Sequence, residues 1–196
     1  MYYPLITNMT TDLSLDEVIQ RMSDFDLCNA ISCAVETQFG YDRLMTWPPD
    51  APFSFRVVHF AWSTTGFIEG EGLARFFNLP CKHSAFPECL EALELPALAD
   101  DIRALLKLFP ECDLGQTDAL ISHFGSWERI EEIVDAAESR LYAESKNIQS
   151  RVAGFIRERK QEFEPLLPEI RRRKEYRKLL QPVGTEKPGE GEPENF

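Results

Sequence analysis

Apolar residues recur at helical spacing along most of the chain, and no stretch shows the strict alternation of a half-buried strand. Ser14 to Glu17 has the S-x-x-E form of a capping box and predicts the start of a first helix. Leu27, Ala30, Ile31, Ala34 and Val35 follow i, i+3, i+4 spacing, the buried face of a helix. The breaker cluster from Trp47 to Pro52 marks a loop. Phe55, Val57, Val58, Phe60, Ala61 and Trp62 fit a short buried strand or a buried helix, and helical neighbours favour the helix. Gly66, Gly70 and Gly72 are expected to break up that segment, with the hydroxyls of Ser63, Thr64 and Thr65 serving a helix cap. A fresh helix over 73–77 should end near Asn78 to Pro80. Helices over 88–95 and 97–109 follow, the second with Leu98, Ile102, Leu105, Leu106 and Phe109 on one face. Thr117 can cap a helix carrying Ala119, Leu120 and Phe124. Ser126 can cap a long helix from Trp127 to about Phe163, with a break near Ser145. No internal repeat is present. The predicted class is all-α: a compact multi-helix bundle with a long C-terminal helix.

Charge divides this chain unevenly. It has 196 residues, 33 acids against 21 bases, and a formal net charge of −12. Residues 1–150 hold 24 acids and 10 bases, residues 151–185 hold 5 and 10, and residues 186–196 hold 4 and 1. The predicted organisation is an acidic helical domain over 1–163, a basic helical arm over 164–181 and a disordered tail over 182–196, which has too little apolar content to fold. An acidic body repels nucleic acid and anionic lipid, so neither is expected to bind it directly. The arm, with Arg171 to Lys174 and then Arg177 and Lys178, could contact nucleic acid or membrane, or complement the acidic body as a solvated helix end. No apolar run is long enough for a membrane span, the first residues lack the form of a secretory signal, and a cytoplasmic location is expected. Five cysteines (an odd number, with no CxxC pair) suggest free thiols in a reducing compartment, with Cys28 and Cys33 acting as small apolar residues.

The long helix carries the sharpest pattern. Ile130, Ile133, Val134, Ala137 and Leu141 fall on one side, and Glu128, Glu131, Glu132, Asp135 and Glu138 on the other. Like charges at i, i+3 and i+4 cost a few tenths of a kcal/mol per pair, partly offset near the positive end of the helix dipole. Such a row is either a solvated face kept for solubility or a concentrated negative field. In the second case it imitates the phosphates that a DNA-binding protein recognises by charge.

Catalytic signals are weaker. Cys81, His83, Cys89, Cys112 and His123 supply zinc-like residue types, but the spacing fits no standard module and no metal is expected. No nucleophile elbow, H-E-x-x-H, phosphate loop or dinucleotide fingerprint is present, and no cofactor is expected. Gly70-Glu-Gly72 is flanked by acids that would repel phosphate, so it is expected to be a turn. A hydrolase using a Cys–His or carboxylate site in a cleft is the alternative function class.

The string from Val58 to Asn78, with Glu69-Gly-Glu-Gly-Leu73 followed by Ala74, Arg75, Phe76, Phe77 and Asn78, resembles a family of small bacterial helical proteins related to a neisserial DNA mimic. The Phe109-Pro110 helix end and the region around Leu141 and Tyr142 also look similar, so the resemblance spans about residues 15–160. Gly-Leu stands where members carry Gly-Phe, and Arg75 where a Gln is common. The resemblance implies an all-helical fold without known catalysis. For one branch it implies an acidic dimer that occupies the DNA-binding surface of a transcription factor. The expected function is therefore non-enzymatic: contact with a basic protein, such as a DNA-binding regulator, through Glu128, Glu131, Glu132, Asp135 and Glu138, with a homodimer allowed.

Overall fold

The computed structural model describes residues 13–109, 117–173 and 176. In chain order the helices are α1 (Leu15–Arg21), α2 (Asp24–Phe39), α3 (Tyr41–Met45), α4 (Phe53–Glu71), α5 (Leu73–Phe76) and α6 (Ala85–Ala92). They continue as α7 (Pro96–Leu106), α8 (Thr117–Phe124), α9 (Trp127–Glu158), α10 (Lys160–Phe163) and α11 (Leu167–Arg172), with a 3₁₀ turn over Glu164–Leu166. The described residues contain no strand, so the fold is all-α as the periodicity predicted.

Local chemistry sets several helix starts. The Ser14 hydroxyl accepts the Glu17 N–H, and the Glu17 carboxylate accepts the Ser14 N–H at 2.8 Å, completing the capping box. Hydrogen bonding from the Ser14 backbone, then from its hydroxyl, holds the Glu17 carboxyl below the usual carboxylate range. Ser23 accepts the Asp26 N–H at 3.1 Å and starts α2. Ser126 accepts the Arg129 N–H at 3.3 Å and starts α9.

Helix α4 is the centre of the bundle. Phe55, Val57, Val58, Phe60, Ala61, Thr64 and Ile68 are all buried, and α2, α3, α5, α6 and α9 pack around it. A helix apolar on nearly every side belongs inside a domain, and its backbone hydrogen bonds are satisfied within the segment. The ambiguous stretch at 53–60 is therefore helical. Beside it, an aromatic seam joins α5, α6 and α7. Phe77 stacks on Phe109 with centroids 4.1 Å apart, and Phe76 meets Phe86 at 5.5 Å.

Several boundaries differ from the sequence expectation, among them α6, expected over 88–95 and found over Ala85–Ala92, and α7, expected over 97–109 and found over Pro96–Leu106. Gly66 and Gly70 lie inside α4, which ends only at Gly72, where φ is +89° and the N–H bonds to the Ile68 carbonyl. A glycine inside a helix costs about 1 kcal/mol relative to alanine. Burying one large apolar side chain contributes about 1.5–3 kcal/mol, so the packing of α4 outweighs its two glycines. Ser63, Thr64 and Thr65 consequently lie mid-helix and cap nothing. Helix α9 runs unbroken through Ser145, because Leu141 and Ile148 carry the same buried stripe across that point; it ends at Glu158 rather than near Phe163.

The arm is joined to the body as far as it is described. Phe163, Leu166, Ile170 and Tyr176 are buried, and Phe163 stacks on Phe55 at 5.4 Å. Arg171 donates to the Leu13 carbonyl, and Arg173 donates to the Cys33 carbonyl at 3.0 Å and to Thr37 Oγ1 at 2.9 Å. Asn29 donates to Tyr176 Oη at 2.8 Å. Lys174, Arg177, Lys178 and the tail over 182–196 lie outside the described residues. Among the described residues no helix is long and apolar enough to cross a membrane.

Candidate functional site

The first half of α9 presents its acids as the periodicity predicted, with one exception. Glu128, Glu131, Glu132 and Asp135 are exposed, opposite the buried Ile130, Val134, Ala137 and Leu141. Hydrogen bonding from its own backbone, then from the Ser126 hydroxyl, holds the Glu128 carboxyl below the usual range, keeping it ionised. The sequence pattern leaves the acidic side free of bases until Arg140, but two bases enter the row, Arg129 from α9 itself and Arg75 from α5. Arg129 pairs with Glu132 at 2.7 Å. Arg75, from α5, lies 4.6 Å above the Trp127 ring, whose indole N–H donates to Glu131 at 2.8 Å. An exposed pair such as Arg129–Glu132 contributes at most about 1 kcal/mol, so a competing cation can displace it.

Glu138 leaves the row. Its carboxylate turns inward and accepts the Leu73 N–H at 2.6 Å, at the start of α5. The positive-φ backbone at Gly72 brings that N–H to α9, and a Cβ at Gly72 would come within 3.4 Å of the same carboxylate. Tyr142, one turn further, donates to the Ile68 carbonyl at 2.9 Å. Its phenol is pushed above the usual tyrosine range by partial burial, then by the charge of Glu138. Glu138 is thus a positioning residue for the α4–α5 corner. Replacing Glu138 with alanine should cost about 1–2 kcal/mol in urea unfolding, since a half-buried N–H loses a charged acceptor. Glutamine should recover part of it. A loss equal to that from alanine at exposed Asp135 would show that the bond contributes nothing.

The C-terminal bases are engaged away from this row. Arg157 pairs with Asp24 at 2.7 Å, Lys160 with Asp16 at 2.6 Å, and Arg151 with Glu94 at 2.7 Å. Arg140 pairs with Asp101 of α7 at 2.6 Å. Residues 151–173 therefore do not fold back over Glu128, Glu131 or Asp135 through any of these contacts.

The cysteine and histidine candidates divide differently. Cys81, His83 and Cys89 are buried, at 1%, 0% and 0% exposure. His83 Nε2 lies 2.9 Å from the Phe76 carbonyl, and its ring packs against Phe76 and Phe77. Burial pushes the Cys89 thiol well above its ordinary range, which keeps it protonated and a poor nucleophile. His123 is exposed beside Phe124, and Cys112 lies outside the described residues. Among the described residues no three His, Cys, Asp or Glu side chains gather as a metal site.

A cleft of about 570 Å³, which no sequence pattern announced, opens between α2, α4 and the middle of α9. Phe25 and Trp62 meet edge to face at 5.4 Å on one wall. Ser32, which lines it, lies 3.1 Å from Nδ1 of the fully buried His59. Tyr41, also lining it, sets its ring edge to face with His59 at 5.6 Å. The one available signal was Phe25, an aromatic outside the apolar face of its own helix.

No family model, curated protein or solved structure matches this chain, and so none of them links it to the DNA-mimic family expected from its sequence.

Proposed function

We propose that this protein acts without catalysis, by docking a basic protein onto the exposed acidic side of α9. The observation that carries this reading is the placement of Glu128, Glu131, Glu132 and Asp135 on one side of an unbroken helix, with the C-terminal bases paired elsewhere. Four carboxylates from 128 to 135 span about 10 Å of helix axis, or one charge per about 3.5 Å. A nucleic-acid strand carries one phosphate per about 3.4 Å. Arg129 lowers that density, yet its exposed ion pair yields readily to a partner's arginine or lysine. In its sharpest form the partner is a DNA-binding regulator and the carboxylates stand in for phosphates, as the resemblance to the DNA-mimic family implies.

The test is a charge-neutralised chain carrying Glu128→Gln, Glu131→Gln and Asp135→Asn, compared with the native protein for capture of basic DNA-binding proteins. Glutamine and asparagine keep the acceptors that Ser126 and Trp127 use. Captured partners should be released by raised salt and by added duplex DNA, because exposed charges are screened beyond a Debye length of about 8–10 Å. The triple variant should bind them about tenfold or more weakly. Partners held equally by both chains, or held without regard to salt, would remove the proposal.

A further inference from the structure

We propose that the cleft between α2, α4 and α9 binds a small organic cation with an apolar or aromatic body. Its volume of about 570 Å³ suits a small molecule. Its wall exposes aromatic surface that the core has not claimed: Phe25 is 55% exposed and Tyr41 is 40% exposed, with Trp62 half-buried against Phe25. Aromatic faces attract a cation through the ring quadrupole.

The charges at the rim choose the sign of the ligand. Glu36 from α2 and Glu69 from α4 line the cleft, opposed by the ammonium of Lys146 from α9. Among the charged side chains that line the cleft, two carboxylates against one ammonium favour a cation and disfavour an anion; Arg173, behind the wall, is held by the Cys33 carbonyl and Thr37. Deeper in, Thr65 is only 9% exposed, and its hydroxyl has no hydrogen-bond partner. That hydroxyl oxygen is shielded from solvent, so it accepts from an ammonium or guanidinium N–H only once the side chain rotates toward the cleft. Gly66 keeps the α4 wall open, since a Cβ there would meet nothing within 4 Å. Lys146 is the competitor: its flexible ammonium offers the carboxylates a cation already tethered to the protein.

The experiment follows the indole N–H resonances of the full chain, with Trp62 assigned by its loss in Trp62→Phe. Phenethylammonium is titrated against 3-phenylpropionate, which has a similar apolar body and the opposite charge. Phenethylammonium should give a saturable Trp62 shift with a Kd of about 1 mM or lower, and phenylpropionate should bind at least about tenfold more weakly. The double variant Glu36→Gln with Glu69→Gln should weaken the cation about fivefold or more, whereas Lys146→Gln should tighten it about twofold. Gly66→Leu should abolish binding while leaving the helical circular dichroism intact, because leucine favours a helix over glycine. The α9 triple variant should bind phenethylammonium normally, so this site stands or falls apart from the acidic face. No saturable shift, equal binding of the two probes, or binding undisturbed in Gly66→Leu would overturn the proposal.

Discussion

Replacing Phe77 with alanine is expected to destabilise the protein by about 3–5 kcal/mol, the usual cost of emptying a phenylalanine site in a sealed core. Phe77 is completely buried. Its ring stacks on Phe109 at 4.1 Å with planes 11° apart, meets Phe76 at 5.4 Å and stacks on His83 at 5.8 Å. Phe109 in turn touches Phe124 of α8 at 4.9 Å. One truncation thus loosens α5, the α6 approach and the seat of α8 together. Domains of this size have a total stability of about 5–15 kcal/mol. The melting temperature should drop by about 6–20 °C. Urea unfolding checks this through the midpoint at constant slope. Phe25→Ala, at an exposed ring, serves as the contrast and should cost about 1 kcal/mol or less. Equal losses from the two variants would mean that the stacked seam does not hold the corner together.

Stability should also fall by about 3 kcal/mol between pH 6.5 and pH 4 through His59 alone. Burial lowers its pKa from 6.5 to about 4, opposed weakly by hydrogen bonding to Ser32. Nε2 of the ring has no hydrogen-bond partner, so no acceptor compensates an added charge. In the unfolded chain the imidazole binds a proton below pH 6.5, while in the folded chain it refuses one until about pH 4. The unfolded state therefore holds more protons throughout that window, and stability falls as pH falls. Above about pH 7.5 both states are neutral and the contribution is flat. Every tenfold loss of proton affinity on folding corresponds to about 1.4 kcal/mol, and the gap between the two states gives the total. Unfolding in urea at steps from pH 7 to pH 5 tests this in the range above ordinary carboxylate titration. Glu17 and Glu128, whose pKa values are lowered, titrate below it. His59→Gln should remove about 2 kcal/mol of the change between pH 6.5 and pH 5. Identical slopes in both proteins would show that His59 is not the group responsible. Ser32 and Tyr41 touch His59 and line the cleft, so a proton on His59 places its charge directly behind the cleft wall.

The candidate acidic site was partly visible in the sequence. Exposure of Glu128, Glu131, Glu132 and Asp135 follows from the 100° turn per residue, which places them opposite Ile130 and Val134. Glu138 obeys the same arithmetic and still leaves the row, because its partner, the Leu73 N–H, lies 65 residues away. Arg75 reaches Glu131's neighbour Trp127 only because α5 packs on α9. The buried state of Cys81, His83 and Cys89 was equally hidden, since the same residue types occur in metal sites and in cores.

From its sequence alone, this chain was bound to be largely helical: capping at Ser14 and Ser126 and the apolar stripes of α2 and α9 are near-neighbour effects, decided within a few residues. Tertiary structure alone decided which surfaces met. It carried α4 past two glycines, laid Arg171 and Arg173 on the carbonyls of Leu13 and Cys33, turned Glu138 inward, and opened a cleft beside Phe25 and Trp62. Each of those outcomes depends on the burial of apolar area between distant segments, which no local period encodes.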